Sequence, residues 1–511
     1  MTRSRTLLAT GLLLVSAGMP TTAAQSQPAR ADAKAVGSQP QPPLAKIEFN
    51  RDIRPILSDA CFHCHGPDQN KRKAGLRLDV RDEALKAAKS GKIPILPGAP
   101  DKSEVVLRVF SEDAEERMPP PEGHKVLTAA QKDLLKRWIT EGAEYQIHWA
   151  YRPVERPPVP IAGLHPVDAF IRHRLAAEKL SPAEEANKVT LIRRVTLDLT
   201  GLPPRPEDVD AFLQDAAPGA YERVVDRLLA SVHYGERMAV DWLDAARFAD
   251  TNGYQVDRDR TLHAWRDWVI RAFNQNMRFD QFTLEQIAGD LLPDATTDQR
   301  VATGFNRNHM INEEGGVTEE EFLASYTADR VETTATVWLA QTFNCARCHD
   351  HKFDPFTQRD FYSLKAFFHN VSEKGVGDYD KPYHLSSPPF LRVPTPEQTA
   401  RIDVLKAEIE QAGKDPGPTG KDQLAKLNKT LADVKKAVTV TLVMDDAKPR
   451  DTFILLRGEF DQPGEKVTAA TPVALPPMPA DLPRNRLGLA RWLIDPGNPL
   501  PARVTVNRLW Q

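Results

Sequence analysis

The chain has 511 residues, 67 basic and 70 acidic side chains, and a formal net charge of −3. That length supports two or three domains, each with its own core. The near balance of charge excludes an electrostatic argument for nucleic acid or an anionic membrane, and four cysteines are too few for a disulfide scaffold of this size.

Arg3 and Arg5 give a basic start, residues 7–17 a short apolar run, and Thr22-Ala23-Ala24 a small-residue cleavage site. Residues 1–24 therefore read as a signal peptide with Gln25 as the mature start, and an uncleaved anchor is the plainer alternative. The run is short for a bilayer span, and the rest of the sequence offers no transmembrane segment. The expected location is periplasmic or otherwise extracytoplasmic. Residues 25–46, rich in Ala, Gln, Pro and Ser, form a disordered linker.

Residues 47–145 predict a small helical domain. Ile53, Ile56 and Leu57 make an apolar stripe leading into Cys61-Phe62-His63-Cys64-His65. C-x-x-C-H is the attachment pattern of a c-type haem. Two thiols one helical turn apart can each add to a vinyl group, and the following histidine presents its imidazole to the iron. A redox dithiol, a disulfide or half a zinc site are the competing readings. Residues 76–78 predict a short extended piece. Met118 sits before Pro119-Pro120-Pro121 in a loop that the prolines keep extended. It is the expected sixth ligand, with His124 competing and a methionine filling a core gap as the plain alternative. Leu134, Leu135, Trp138 and Ile139 then line one face of a helix that Gly142 stops.

After a proline-rich linker, residues 160–372 predict a larger helical domain. Its stripes include Val167, Phe170, Ile171 and Leu175, then Leu191, Ile192, Val195 and Leu199. Trp242, Trp265 and Trp268 are expected in its core. Glu313 and Glu314, beside two glycines, read as a loop that could also carry catalytic or metal-binding carboxylates. A second C-x-x-C-H, Cys345-Ala346-Arg347-Cys348-His349, follows, so the two motifs use all four cysteines. His351 lies too close to His349 to reach the far side of the same iron. A haem propionate, a separate metal or solvent are its expected partners. Lys352 and Arg359 are candidate propionate partners, and Met310, His309 and His369 are candidate sixth ligands for the second haem.

Residues 396–437 predict a helical hairpin and residues 438–480 a β-containing segment with a linker. Residues 484–511 predict the start of a C-terminal domain cut short within an amphipathic helix. The fold class expected is mainly α.

Several longer stretches carry a family resemblance. Residues 49–142, with Cys61 to His65, resemble the planctomycete-type cytochrome c domain. Residues 165–370 resemble the domain of unknown function that usually follows it. The carrying motifs are Asp198-Leu199-Thr200-Gly201-Leu202-Pro203-Pro204, His233-Tyr234-Gly235-Glu236-Arg237, Asp329-Arg330-Val331-Glu332-Thr333-Thr334 and the run from Cys345 to Pro355. Residues 484–511 resemble the opening of a third family domain. The resemblance implies an exported, multi-domain, haem-associated protein, often encoded near polysaccharide-degrading enzymes, and leaves the reaction unassigned.

The resulting expectation is a di-haem c-type cytochrome that passes single electrons to a redox partner protein. Haem c would be held covalently by Cys61, Cys64 and His65 with Met118, and by Cys345, Cys348 and His349. A haem-dependent oxidoreductase or peroxidase-like enzyme linked to polysaccharide breakdown, or a haem-bearing scaffold, are the alternatives. No catalytic residue is assigned, and oligomeric state has no signal.

Overall fold

In the computed structural model of the chain, which describes residues 46–68, 71–254, 256–378, 380–381, 387–414 and 417–511, one local device starts several helices. Thr128 accepts a bond from the Gln131 backbone while the Gln131 side chain caps Thr128, and the Ala129–Thr140 helix follows. The same reciprocal box opens Thr297–Ala302, Gln358–Lys365 and Pro396–Ala412. Each satisfies two backbone donors that the first helical turn leaves unpaired.

The molecule is mainly α, with about half of the chain helical. It divides into Met1–Lys46 and Ile47–Gln511, and the elements described lie in the second unit. The expected signal peptide and nearly all of the expected linker lie outside the described residues. Among the described residues no helix is long and apolar enough to cross a membrane.

The apolar stripes sort into separate cores. Ile53, Leu57, Phe62, Leu78, Trp138 and Ile139 belong to one that draws only on residues between 47 and 145. Ile192, Val195, Phe212, Val224 and Leu228 form a small second core. The largest runs from Ala239 to Leu500 and holds Trp265, Trp268, Phe282 and Trp338 together with Leu489 and Trp492. The Arg486–Leu493 helix thus buries its face in the core built by the helices before it. Arg486 fastens it, donating to both carboxylate oxygens of Asp290 at 2.8 and 2.6 Å and to Asp446 at 2.9 Å.

Helices form at the other periodic stretches as well, but not all stripes are buried. In Pro166–Ala177 only Ala169 is buried, and Val167, Phe170 and Ile171 are each about two-fifths exposed. The Pro396–Ala412 and Pro418–Lys436 helices pack on each other as a hairpin. Strands are few. β1 (Phe390–Val393) pairs antiparallel with β2 (Thr439–Leu442), and β3 (Thr452–Leu455) with β4 (Pro463–Val467), with a register shift between Phe453 and Leu455. Residues 76–78, expected extended, are an irregular turn whose Leu78 is buried. The local run is too short to pair, and the N–H of Leu78 donates instead to the carbonyl of His65.

Candidate functional site

The Arg54–Ala60 helix delivers the chain to Cys61, and Phe62–His65 continues it for one turn. The turn closes on the carbonyl of Cys61, which accepts from the N–H groups of Cys64 at 3.1 Å and His65 at 2.8 Å. Phe62, buried in the first core, anchors it, and the carbonyls of Cys64 and His65 accept from Lys73 and Leu78 at 2.8 Å. Both cysteines are free thiols with partial solvent access. Burial pushes the Cys61 thiol up to about 12, helped by the nearby Asp59.

His65 is the informative member. Burial pushes its imidazole below the ordinary value, with the Lys73 backbone opposing, which favours the neutral ring, the form that binds a metal. Its Nδ1 is buried and has no hydrogen-bond partner. A buried polar atom left unpaired is costly. The pattern of two thiols in one helical turn beside a neutral, under-partnered imidazole fits a covalently held haem. Met118 is half-buried, and its N–H donates to the carbonyl of Arg108 at 3.1 Å. The charge of Arg108 in turn reaches His65. His124 is exposed with a left-handed backbone, and His63 is exposed.

The second motif is built differently. Phe343–Arg347 is a 3-10 turn whose end is tied down by its neighbours. The carbonyl of Arg347 accepts from Gln358 Nε2 at 3.1 Å and from the Tyr362 hydroxyl at 2.9 Å. Gln358 Nε2 also donates to the carbonyl of Leu455 at 3.0 Å, which joins the motif to β3. Cys345 and Cys348 are exposed free thiols. Gly458, at φ +81°, backs onto the second of them, since a Cβ there would stand 2.8 Å from Cys348 Sγ. His349 Nδ1 lies 2.7 Å from the carbonyl of Asp350. A carbonyl only accepts, so Nδ1 carries a proton, and in the neutral ring the lone pair is then on Nε2. That tautomer, with Nδ1 tied to a backbone carbonyl, is the one typical of a metal-bound histidine, and this motif also fits the group.

His351 has a role that none of its expected partners describes. It is buried, and its Nδ1 accepts from the N–H groups of Asp354 at 2.8 Å and Phe353 at 3.3 Å. Nε2 faces Thr342 Oγ1 at 3.3 Å. The ring thus organises the loop after the motif. Of the expected propionate partners, Arg359 is paired with Glu465, and Lys352 lies over the Phe353 ring. Glu313 is buried against Arg258, and among the described residues no three His, Cys, Asp or Glu side chains are grouped to hold a metal ion.

Sequence inspection missed a charged cluster in the interior. Arg330 clasps Glu373, with Nη2 to Oε2 at 2.5 Å. His309 stacks on Tyr326, with ring centroids 4.5 Å apart. Its Nδ1 faces the carbonyl of Met310 at 2.9 Å and its Nε2 meets Arg330 Nη2 at 2.8 Å. Burial, with Arg330 beside it, pushes His309 down to about 4. Glu373 is held well below the carboxylate range: burial opposes this, but Arg330 outweighs it. The pattern Asp329-Arg330 was visible as a motif, but Glu373 lies 43 residues further on.

The two motifs lie in one unit. Asn50 Nδ2 donates to the carbonyl of Ile147 at 2.7 Å, which ties the strap after the first core to its start. Along that strap the Tyr151 hydroxyl donates to Gln341 Oε1 at 3.2 Å, and its ring meets Phe356 edge-on at 6.0 Å. Phe356 packs on Phe343 at 4.6 Å, two residues before Cys345. On the first motif's side Arg77, paired with Asp79, lies within the field of Asp350.

Residues 61–122 match the family described as Planctomycete cytochrome C. Residues 166–373 match Protein of unknown function (DUF1549), and residues 485–511 match Protein of unknown function (DUF1553). The chain carries these three domains in that order. The cytochrome c domain contains Cys61, Cys64, His65 and Met118, and the DUF1549 segment contains Cys345, Cys348 and His349. No curated protein and no solved structure matches the chain.

Proposed function

We propose that the protein is an exported c-type cytochrome with two covalent haems that exchanges single electrons with a redox partner protein. The observation that carries the reading is the Cys61–His65 turn. It sets two thiols beside a half-buried imidazole whose buried Nδ1 has no partner, inside the segment that matches Planctomycete cytochrome C. When bound, haem supplies one-electron chemistry at its iron. The chain's part is to hold and orient. Cys61 and Cys64 would form the thioethers, and His65 and Met118 would be the iron ligands. Cys345, Cys348 and the Nε2 of His349 would do the same at the second motif. The Tyr151–Phe356–Phe343 contacts support a fixed spacing between the two.

The test is to express the chain with haem-maturation machinery and map its peptides by mass. Both C-x-x-C-H peptides are expected to carry one haem each. A colourless protein whose four thiols all alkylate overturns the reading, and haem on the first peptide alone reduces it to a monohaem cytochrome. A haem-dependent oxidoreductase is the second reading. It is favoured by His309, whose two nitrogens are held by Met310 and Arg330, which removes one candidate sixth ligand for the second haem. Carbon monoxide binding to the reduced second haem would support it.

A further inference from the structure

Glu285, in the Phe279–Ala288 helix, is 4% exposed. A glutamate this deep is normally answered by a basic side chain. Among the described residues that holds for the other two buried glutamates, since Glu313 is paired with Arg258 and Glu373 with Arg330. Glu285 has neutral partners instead. Its Oε1 accepts from Gln281 Nε2 at 3.0 Å and from Gln299 Nε2 at 3.3 Å. Its Oε2 takes no hydrogen bond among the described residues, and it is not among the polar atoms sealed from solvent.

That oxygen has somewhere to face. Glu285 lines a cavity of about 200 Å³ between its own helix, the His263–Asn274 helix and residues 296–299. Trp268, Ala272 and Met277 supply an apolar wall, and the exposed Arg271 and Gln275 stand at the rim. Arg271 does not answer the buried carboxylate, because it is turned to Asp298 at 3.3 Å. The polar side of the cavity is fixed from behind. Gln299 Oε1 accepts from the Thr296 N–H at 3.0 Å, which leaves its Nε2 for Glu285. Gly289 lets this segment close on the helix, since a Cβ there would strike the carbonyl oxygen of Gln299.

We propose that this cavity binds a small organic primary amine through its ammonium group, with Glu285 Oε2 as the counter-charge. A guanidinium would want both carboxylate oxygens, and two amides already occupy Oε1. An ammonium is a compact charge that a single oxygen can hold. A divalent cation would need several more ligands, and among the described residues no three His, Cys, Asp or Glu side chains are grouped for one. The apolar wall suits the hydrocarbon body of the amine. The site lies in the segment that matches Protein of unknown function (DUF1549), and it does not depend on either haem.

The probe is n-butylammonium, with 1-butanol as its neutral counterpart, each titrated into the full chain at pH 7 by ligand-detected NMR. The parent is expected to bind the amine at least tenfold more tightly than the alcohol. Glu285→Gln, which keeps a carbonyl oxygen for the two amides, is expected to lose that preference. Met277→Trp fills the cavity without touching the carboxylate and is expected to abolish amine binding, which keeps the test open where Glu285→Gln does not fold. Circular dichroism reports the fold of each variant. Equal binding of amine and alcohol, no binding of the amine, or amine binding that a folded variant of either kind retains overturns the proposal.

Discussion

Cys61 and Cys64 share a motif but not an environment. The raised Cys61 thiol is almost wholly protonated near neutral pH, and the thiolate is the nucleophile. In haem-free protein at pH 8, iodoacetamide is expected to label Cys345 and Cys348, both exposed, at least tenfold faster than Cys61. Time-resolved peptide mapping checks this, and equal rates would show that packing against the first core does not shield the half-buried Cys61 thiol. His309 and Glu373 set a second expectation. The unfolded chain takes up a proton at histidine below about pH 6.5, whereas native His309 refuses it until about pH 4. Stability therefore falls with acid across that window, by on the order of 3 kcal/mol for this group. Glu373, depressed in the native state, stabilises above its unfolded value near 4.5 and loses that contribution as pH falls further. Urea midpoints between pH 7 and 4 are expected to slope less in His309→Gln than in the parent, and parallel slopes would remove His309 from the account.

Among the elements, the Arg486–Leu493 helix is held by a guanidinium that is fully buried between two carboxylates. Arg486→Met leaves Asp290 and Asp446 facing each other, and removing one partner of a buried pair costs about 3–5 kcal/mol. The expected result is a lower denaturation midpoint with the helix detached, read as faster hydrogen exchange at residues 486–493. Protection like that of the parent would mean that apolar packing of Leu489 and Trp492 suffices. The helix ending at Thr140 and the hairpin from residue 396 were legible from their apolar spacing, whereas Thr297–Ala302, opened by the same kind of Thr-x-x-Gln box, was not anticipated. β4 was not legible. Its Pro463–Val467 run exposes every residue but the last, so it has no buried alternation to detect. Pro166–Ala177 shows the opposite failure, a clear stripe that its own domain does not cover.

At the scale of the molecule, the mainly α class and the order of the three domains could be read from periodicity and motifs, and the two C-x-x-C-H motifs stand in the sequence itself. Their surroundings do not. The pairing of Arg330 with Glu373 depends on contacts far apart in the chain. His351 was conspicuous in the sequence, yet only the folded loop shows that its ring nitrogen collects two backbone N–H groups.

Arg503, in the helix Pro499–Trp510, donates to the carbonyls of Ala150 at 3.1 Å and Arg152 at 2.7 Å, from 353 and 351 positions further along the chain. Any process that delivers the polypeptide from its N-terminus, whether synthesis or threading through a pore, therefore presents Cys61 and Cys64 long before the latch on their exit strap exists. If the proposed haems attach, the first pair of thiols is met on a loose end, while the thiols at 345 and 348 emerge only about 150 residues ahead of the latch. Late cofactor loading would have to happen against a closing door.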